Sequence, residues 1–223
     1  MSECETRGFL PPPPPGLGER RMLAAMGLGT MPHHWQAGPA DVTRLDAPRR
    51  VRLRDGGATT ATHEFRWFLD RVEGTSRREA TKRLYDVFLD PNGWIRTGVH
   101  MRRVRDATEA NLIVRVVPQD TTVCGPGSLG CYSWRSGETP VAEVGVECID
   151  NEPAWLVVAG MECVGHAVFR CHDGYINHTG YQGVLGDWGG AEAYGFRPSP
   201  AEIDGAKAWL AGATLKAAIH DHD

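Results

Sequence analysis

"HEFRWFLDRVEGTSRREATKRLYDVF", residues 63–88, carries two hydrophobic periods in succession. In its first part Phe65, Trp67 and Leu69 alternate with charged or polar neighbours, which is the period of a β-strand with one buried face. In its second part Ala80, Leu84, Val87 and Phe88 recur at steps of three and four, the period of a helix with one apolar stripe. Ser76 and Glu79 form an S-x-x-E capping box that starts this helix. "DPNG", residues 90–93, stops it. A strand that runs straight into an amphipathic helix is the first half of a βαβ unit.

The second half follows. "VHMRRV", 99–104, and "ANLIVRVVP", 110–118, read as two strands, the second nearly continuous in apolar and β-branched residues. A helix between such strands predicts a sheet with a helix laid on one face. "VAEVGVECI", 141–149, reads as another strand, with Val141, Val144 and Val146 among its apolar residues. Asp150 or Asn151 caps the next helix, with Pro153 in its first turn. That helix runs through "AWLVVAGMECVGHAVF", where Trp155, Val158, Glu162, His166 and Phe169 share a face. A glycine-rich loop, 174–190, comes next. Ser199 and Glu202 form a second capping box, with Pro200 at the first helical position. The helix it opens, "PAEIDGAKAWLAG", has Ile203, Ala206, Trp209 and Leu210 on its apolar face. The fold class is therefore α/β (α+β).

Outside this core the composition changes. Residues 1–58 are rich in proline and glycine, with "PPPPPG" at 11–16 and a flexible hinge "RDGGATT" at 54–60, and read as a disordered leader. Residues 59–212 form one domain, and 213–223, ending in "HDHD", read as a frayed tail. The 223 residues suit a single globular domain of this size. Net charge is −4, from 24 Lys+Arg against 28 Asp+Glu. The strongest basic run, "APRRVRLR" at 47–54, is short and reads as a solvated strand or linker, so no nucleic-acid partner is expected. No apolar run is long enough for a membrane span. "ERRMLAAMGLGTM", 19–31, is a poor signal-peptide core, which leaves a cytoplasmic location as the default and secretion open. His100, ahead of an arginine-rich strand, reads as a surface residue.

The six cysteines include no C-x-x-C pair, so no zinc ribbon is present. Cys124 and Cys131 flank the turn-rich "GPGSLG". They either close a small disulfide or, in a reducing compartment, remain thiols.

"MECVGHAVFRCHDG", 161–174, holds the candidate chemistry. Counted from Glu162, His166 and His172 fall at positions 5 and 11. Carboxylate oxygen and imidazole nitrogen are both zinc donors. Glu162 and His166 are one helical turn apart and point the same way, whereas His172 has to return after the helix ends. Asp173 is an alternative third donor or an orienting partner for an imidazole. A plainer reading makes Glu162 and His166 a buried hydrogen-bonded pair.

In order and content, residues 63–210 resemble the metzincin-like zinc metallopeptidases, especially the compact matrixin-like and actinobacterial secreted ones. The likeness runs through the strand and long helix, "DPNGWIRTGVHMRRV", "ANLIVRVV", the cysteine-flanked loop, the 141–149 strand, the motif helix and the closing helix opened by "SPAEIDGAKAWL". The family motif is H-E-x-x-H-x-x-G-x-x-H. Here Glu162 stands for the first histidine, Cys163 for the catalytic glutamate and Phe169 for the glycine. Leu185, in "GVLG", stands for the methionine of the methionine turn.

The resemblance implies a zincin-like domain: a twisted mixed sheet, a backing helix over 76–89, the motif helix beneath and a C-terminal helix. It implies zinc at Glu162, His166 and His172, and a peptide or protein ligand in a cleft beside strand 141–149. With Cys163 in the general base's place, Glu143 and Glu147 on that strand become the candidate catalytic carboxylates. The implied function is peptide-bond hydrolysis, weak if it occurs at all. The alternative is a zincin-fold binding or regulatory protein without hydrolysis, with or without zinc.

Overall fold

The computed structural model describes residues 42–123, 129–133, 138–151, 155, 165, 167–168 and 194–211. The central element is β2 (Ala58–Val72), whose Phe65, Trp67 and Leu69 are fully buried while their neighbours alternate outward. Helix α1 (Arg77–Phe88) follows directly. Its cap is the one the sequence predicts, with Glu79 N donating to Ser76 Oγ at 3.1 Å. Leu84, Val87 and Phe88 meet the sheet. Trp67 packs edge-on against Tyr85 and Phe88, with ring centroids 5.6 and 5.1 Å apart. Each such pair contributes about 0.5–1.5 kcal/mol beyond the area it buries.

The chain returns through a turn at 90–93 and a 3-10 turn (Trp94–Thr97) into β3 (Val99–Arg103), parallel to β2. This is the expected βαβ unit. β4 (Leu112–Val117) also runs parallel to β2. Trp67 stands opposite both Arg103 of β3 and Leu112 of β4, so these strands flank β2 on its two sides. β6 (Val141–Gly145) is parallel to β4, and β5 (Gly130–Ser133) is antiparallel to β6. The result is a six-stranded mixed sheet in the order β1-β2-β4-β6-β5, with β3 beside β2.

One face of the sheet holds the core. Val114, Val116, Ala142 and Val144 join the β2 residues and α1 there. So do Trp155, Ala167 and Val168, which are helical, and Ile203 and Ala206 of the closing helix α2 (Pro200–Leu210). Trp155 N donates to Asn151 O at 2.8 Å. Helix α2 carries the predicted capping box in full: Glu202 N donates to Ser199 Oγ at 3.2 Å, and Ser199 N to Glu202 Oε2 at 2.6 Å.

Three sequence expectations are corrected. First, regular structure begins before the hinge at 54–60. Residues 43–52 form β1, antiparallel to β2 and joined to it by a turn in which Gly56 has φ +89°. Apart from Val51 and the partly covered Leu45, its side chains are exposed, so no period of two marks it in the sequence. The rest of the proposed leader, 1–41, lies outside the described residues, as does the tail 213–223. Second, the strand read over 141–149 ends at Gly145, and 146–148 form a 3-10 turn. Gly145 N donates to Leu129 O at 2.8 Å, and a Cβ there would lie 2.7 Å from Gln119 Cγ and 2.9 Å from Leu129 O. Only glycine tolerates that approach. Third, His100 is a half-buried residue of β3 whose Nδ1 is covered without a partner among the described residues. Burial lowers its pKa, and the nearby Glu64 carboxylate opposes that shift.

The turn after α1 does more than stop the helix. Asp90 is fully buried. Its carboxylate lies 2.8 Å from Arg54 Nη2, in the β1–β2 turn, and 3.0 Å from Arg197 Nε, just before α2. It also accepts from Asn92 N at 2.8 Å. Asp90→Ala would leave two partly covered guanidinium groups facing each other without an anion. We expect it to cost on the order of 2–4 kcal/mol in denaturant unfolding. A loss within about 0.5 kcal/mol, the scale of an ordinary surface change, would show that the three elements do not depend on this contact.

Candidate functional site

The two carboxylates singled out on the 141–149 stretch sit in different surroundings. Glu143 is central in β6, in register with Arg115 on β4 and Cys131 on β5. Its neighbours Ala142 and Val144 face the core, so Glu143 projects from the opposite face. There it closes a row of charges across three strands. Arg115 Nε lies 2.9 Å from Asp70 Oδ2, and Arg115 Nη1 lies 3.5 Å from Glu143 Oε1. The hydrogen bond to Asp70 is the main cause of a raised Arg115 pKa, so the guanidinium stays charged throughout. The other oxygen, Glu143 Oε2, accepts from Val123 N at 2.7 Å. Glu143 is only 7% exposed.

Glu147 is not on the strand. It lies in the 3-10 turn beyond Gly145, exposed, and both its oxygens accept from Gln119 N, at 3.3 and 3.1 Å. The two glutamates therefore grip the two ends of one segment, 119–123. That segment leads into the cysteine-flanked loop. Gln119 is further held by a 3.4 Å contact from its Nε2 to the Sγ of the buried Cys148. Cys131 is disulfide-bonded. Cys124, the other half of the pair proposed from sequence, lies outside the described residues.

A general base needs a lone pair that can reach the proton it removes. Glu143 spends one oxygen on a backbone N–H and the other on a guanidinium, and little of it meets solvent. Glu147 shares one N–H between its oxygens and stays exposed, with lone pairs left over. As placed, these carboxylates fasten a loop. This role has no local signature, because the partners are backbone amides some 20–28 residues away in the chain. Asp70, Asp90 and Arg115 find their partners in side chains 28–107 residues away, which no local pattern reports.

The position of β6 also revises the cleft. Over Val141–Gly145 it is paired on both sides, with β4 and β5. Its backbone has no free edge along which a peptide could lie. The terminal strand on this side of the sheet is β5.

Glu162, His166 and His172, with Cys163, Phe169, Asp173 and Leu185, lie outside the described residues. Nearest to them, Trp155, Gly165, Ala167 and Val168 are helical and buried, and Trp155 Nε1 donates to Arg83 O at 3.2 Å. Among the described residues no group of three or more His, Cys, Asp and Glu is placed to hold a metal ion. Among them, too, no helix is long and apolar enough to cross a membrane.

If Glu143 is a fastener, removing its carboxylate frees the Val123 amide. We expect Glu143→Ala to speed hydrogen exchange across 119–123 by at least about tenfold, while Glu143→Gln, which keeps an acceptor oxygen, changes it less. Unchanged exchange in Glu143→Ala would show that the segment is held by other contacts.

No known protein family, curated protein or solved structure matches this chain.

Proposed function

We propose that the chain is a zincin-like protein with an altered peptidase motif, which binds zinc and a peptide or protein segment and hydrolyses peptide bonds weakly if at all. Three features support the likeness: a mixed sheet with a helix laid on one face, the helical residues Trp155, Ala167 and Val168 in the same core, and a closing helix opened by a capping box. The observation that carries the impaired chemistry is Glu143, buried with both oxygens engaged.

The donor set is chemically suited to zinc. Glu162, His166 and His172 would hold the ion, with Asp173 as the alternative third donor. When bound, zinc supplies Lewis acidity toward a carbonyl or a water. What the motif lacks is a proton acceptor in the base's position. Consecutive helical side chains project about 100° apart, so Glu162 does not serve as ligand and also occupy the base's position. Cys163, which does occupy it, is a poor base. Its thiol is more suited to packing or to binding metal. The same reasoning supports the second reading, a zincin-fold binding or regulatory protein without hydrolysis. In either case the ligand would approach the β5 edge of the sheet.

The test restores the family residues. Glu162→His with Cys163→Glu is assayed on a mixed peptide library beside the unaltered chain. We expect little cleavage by the unaltered chain and a chelator-sensitive gain on the order of 100-fold in the double variant. Vigorous zinc-dependent cleavage by the unaltered chain would overturn the impaired-enzyme reading.

A further inference from the structure

β1 presents a different surface, independent of zinc and of the cleft. It pairs with the first part of β2, on the side opposite β3, and among the described residues with no other strand. Its arginines are not alike. Arg49 lies 3.4 Å from Glu64, which also holds Arg102 at 2.9 Å. Arg54, just past the strand, is tied to Asp90. Arg44, Arg50 and Arg52 have no ion pair or side-chain hydrogen bond among the described residues, and Arg44 lies beyond the register break, opposite His63. Arg50 and Arg52 stand in register with Thr60 and Ala58, which carry no charge, so the ladder does not neutralise them. Both are exposed. Two residues apart on a strand, they share one face about 6.8 Å from each other. The chain as a whole has net charge −4, so these cations are a local feature and not part of a general excess.

We propose that the free edge of β1 is a docking strand for an extended acidic peptide segment, which adds to the sheet and sets acidic side chains at alternate positions against Arg50 and Arg52. Strand addition of this kind takes affinity from main-chain hydrogen bonds and specificity from alternate side chains. Opposite charges directly across a ladder are favourable, and like charges are unfavourable. A second copy of this chain pairing through the same edge would bring arginines against arginines, so the edge excludes self-association and admits an acidic strand. A phosphodiester polymer is the weaker fit. Such ligands are held by many cations, typically about 6–10 phosphate contacts, and among the described residues this face offers two unpaired guanidinium groups beside an unpaired backbone edge.

The test uses the full chain with chelator present, so it stands whether or not the zinc reading does. The probe is a capped peptide of alternating Glu and Val, followed by calorimetry at low salt and by hydrogen exchange. The account predicts binding with protection of the amides over 49–52. It predicts affinity at least about tenfold weaker in Arg50→Glu/Arg52→Glu, retained in Arg50→Lys/Arg52→Lys, and lost when the valines are replaced by proline. Circular dichroism of each variant confirms that the sheet is intact. No binding by the alternating peptide, or equal binding by the charge-reversed variant, would overturn the proposal. So would inorganic polyphosphate or the proline peptide binding as tightly as the alternating peptide, since the surface would then respond to charge alone.

Discussion

A fully buried carboxylate is tolerated only when its charge is answered, and Asp90 is answered twice. Arg54 reaches it from the β1–β2 turn and Arg197 from the approach to α2, while Asp90 itself sits at the end of α1. These three elements are far apart in sequence. A small apolar cluster of Val51, Ala61 and Ile95, with Leu53 and Leu89 packed against it, joins the β1–β2 turn to the end of α1, and the ion pairs of Asp90 tie both to the approach to α2. Gly98 completes the geometry, with φ +88°. A Cβ there would come within 2.8 Å of Thr62 Oγ1, and its carbonyl accepts from both Thr62 N and His63 N at 2.9 and 3.0 Å.

The same device recurs at the other end of the sheet. Glu143 and Glu147 answer backbone N–H groups of the 119–123 segment, and Arg115 links Glu143 to Asp70 across three strands. Glu143 and Glu147, read from the sequence as candidate catalytic carboxylates, both hold irregular backbone. This is why the candidate base residues read so differently before and after their partners are known.

Much of the fold was legible. The alternation of Phe65, Trp67 and Leu69, the apolar stripe of α1 and both capping boxes are local patterns, and each appears where its period places it. β1 was not legible, because an exposed strand with arginines on both faces has no hydrophobic period. The end of β6 was hidden too. It depends on how closely Gln119 and Leu129 approach Gly145, and no local pattern reports that. The order of strands follows from long-range pairing, as does the fact that β6 lies inside the sheet and β5 at its edge. Of the candidate site, the sequence exposed the spacing of Glu162, His166 and His172 but not the employment of Glu143 and Glu147. Their partners are main-chain atoms, which have no sequence signature.

The account's central claim is that the altered motif still holds zinc while the proton acceptor is gone. Metal analysis of the full chain, purified without a histidine tag, addresses it most directly when run beside Glu162→Ala/His166→Ala. The account predicts about one zinc ion per chain, removed by chelator and absent from the double variant. A folded, unaltered chain that carries no zinc after equilibration with the ion, or a variant that binds it equally well, would contradict the claim.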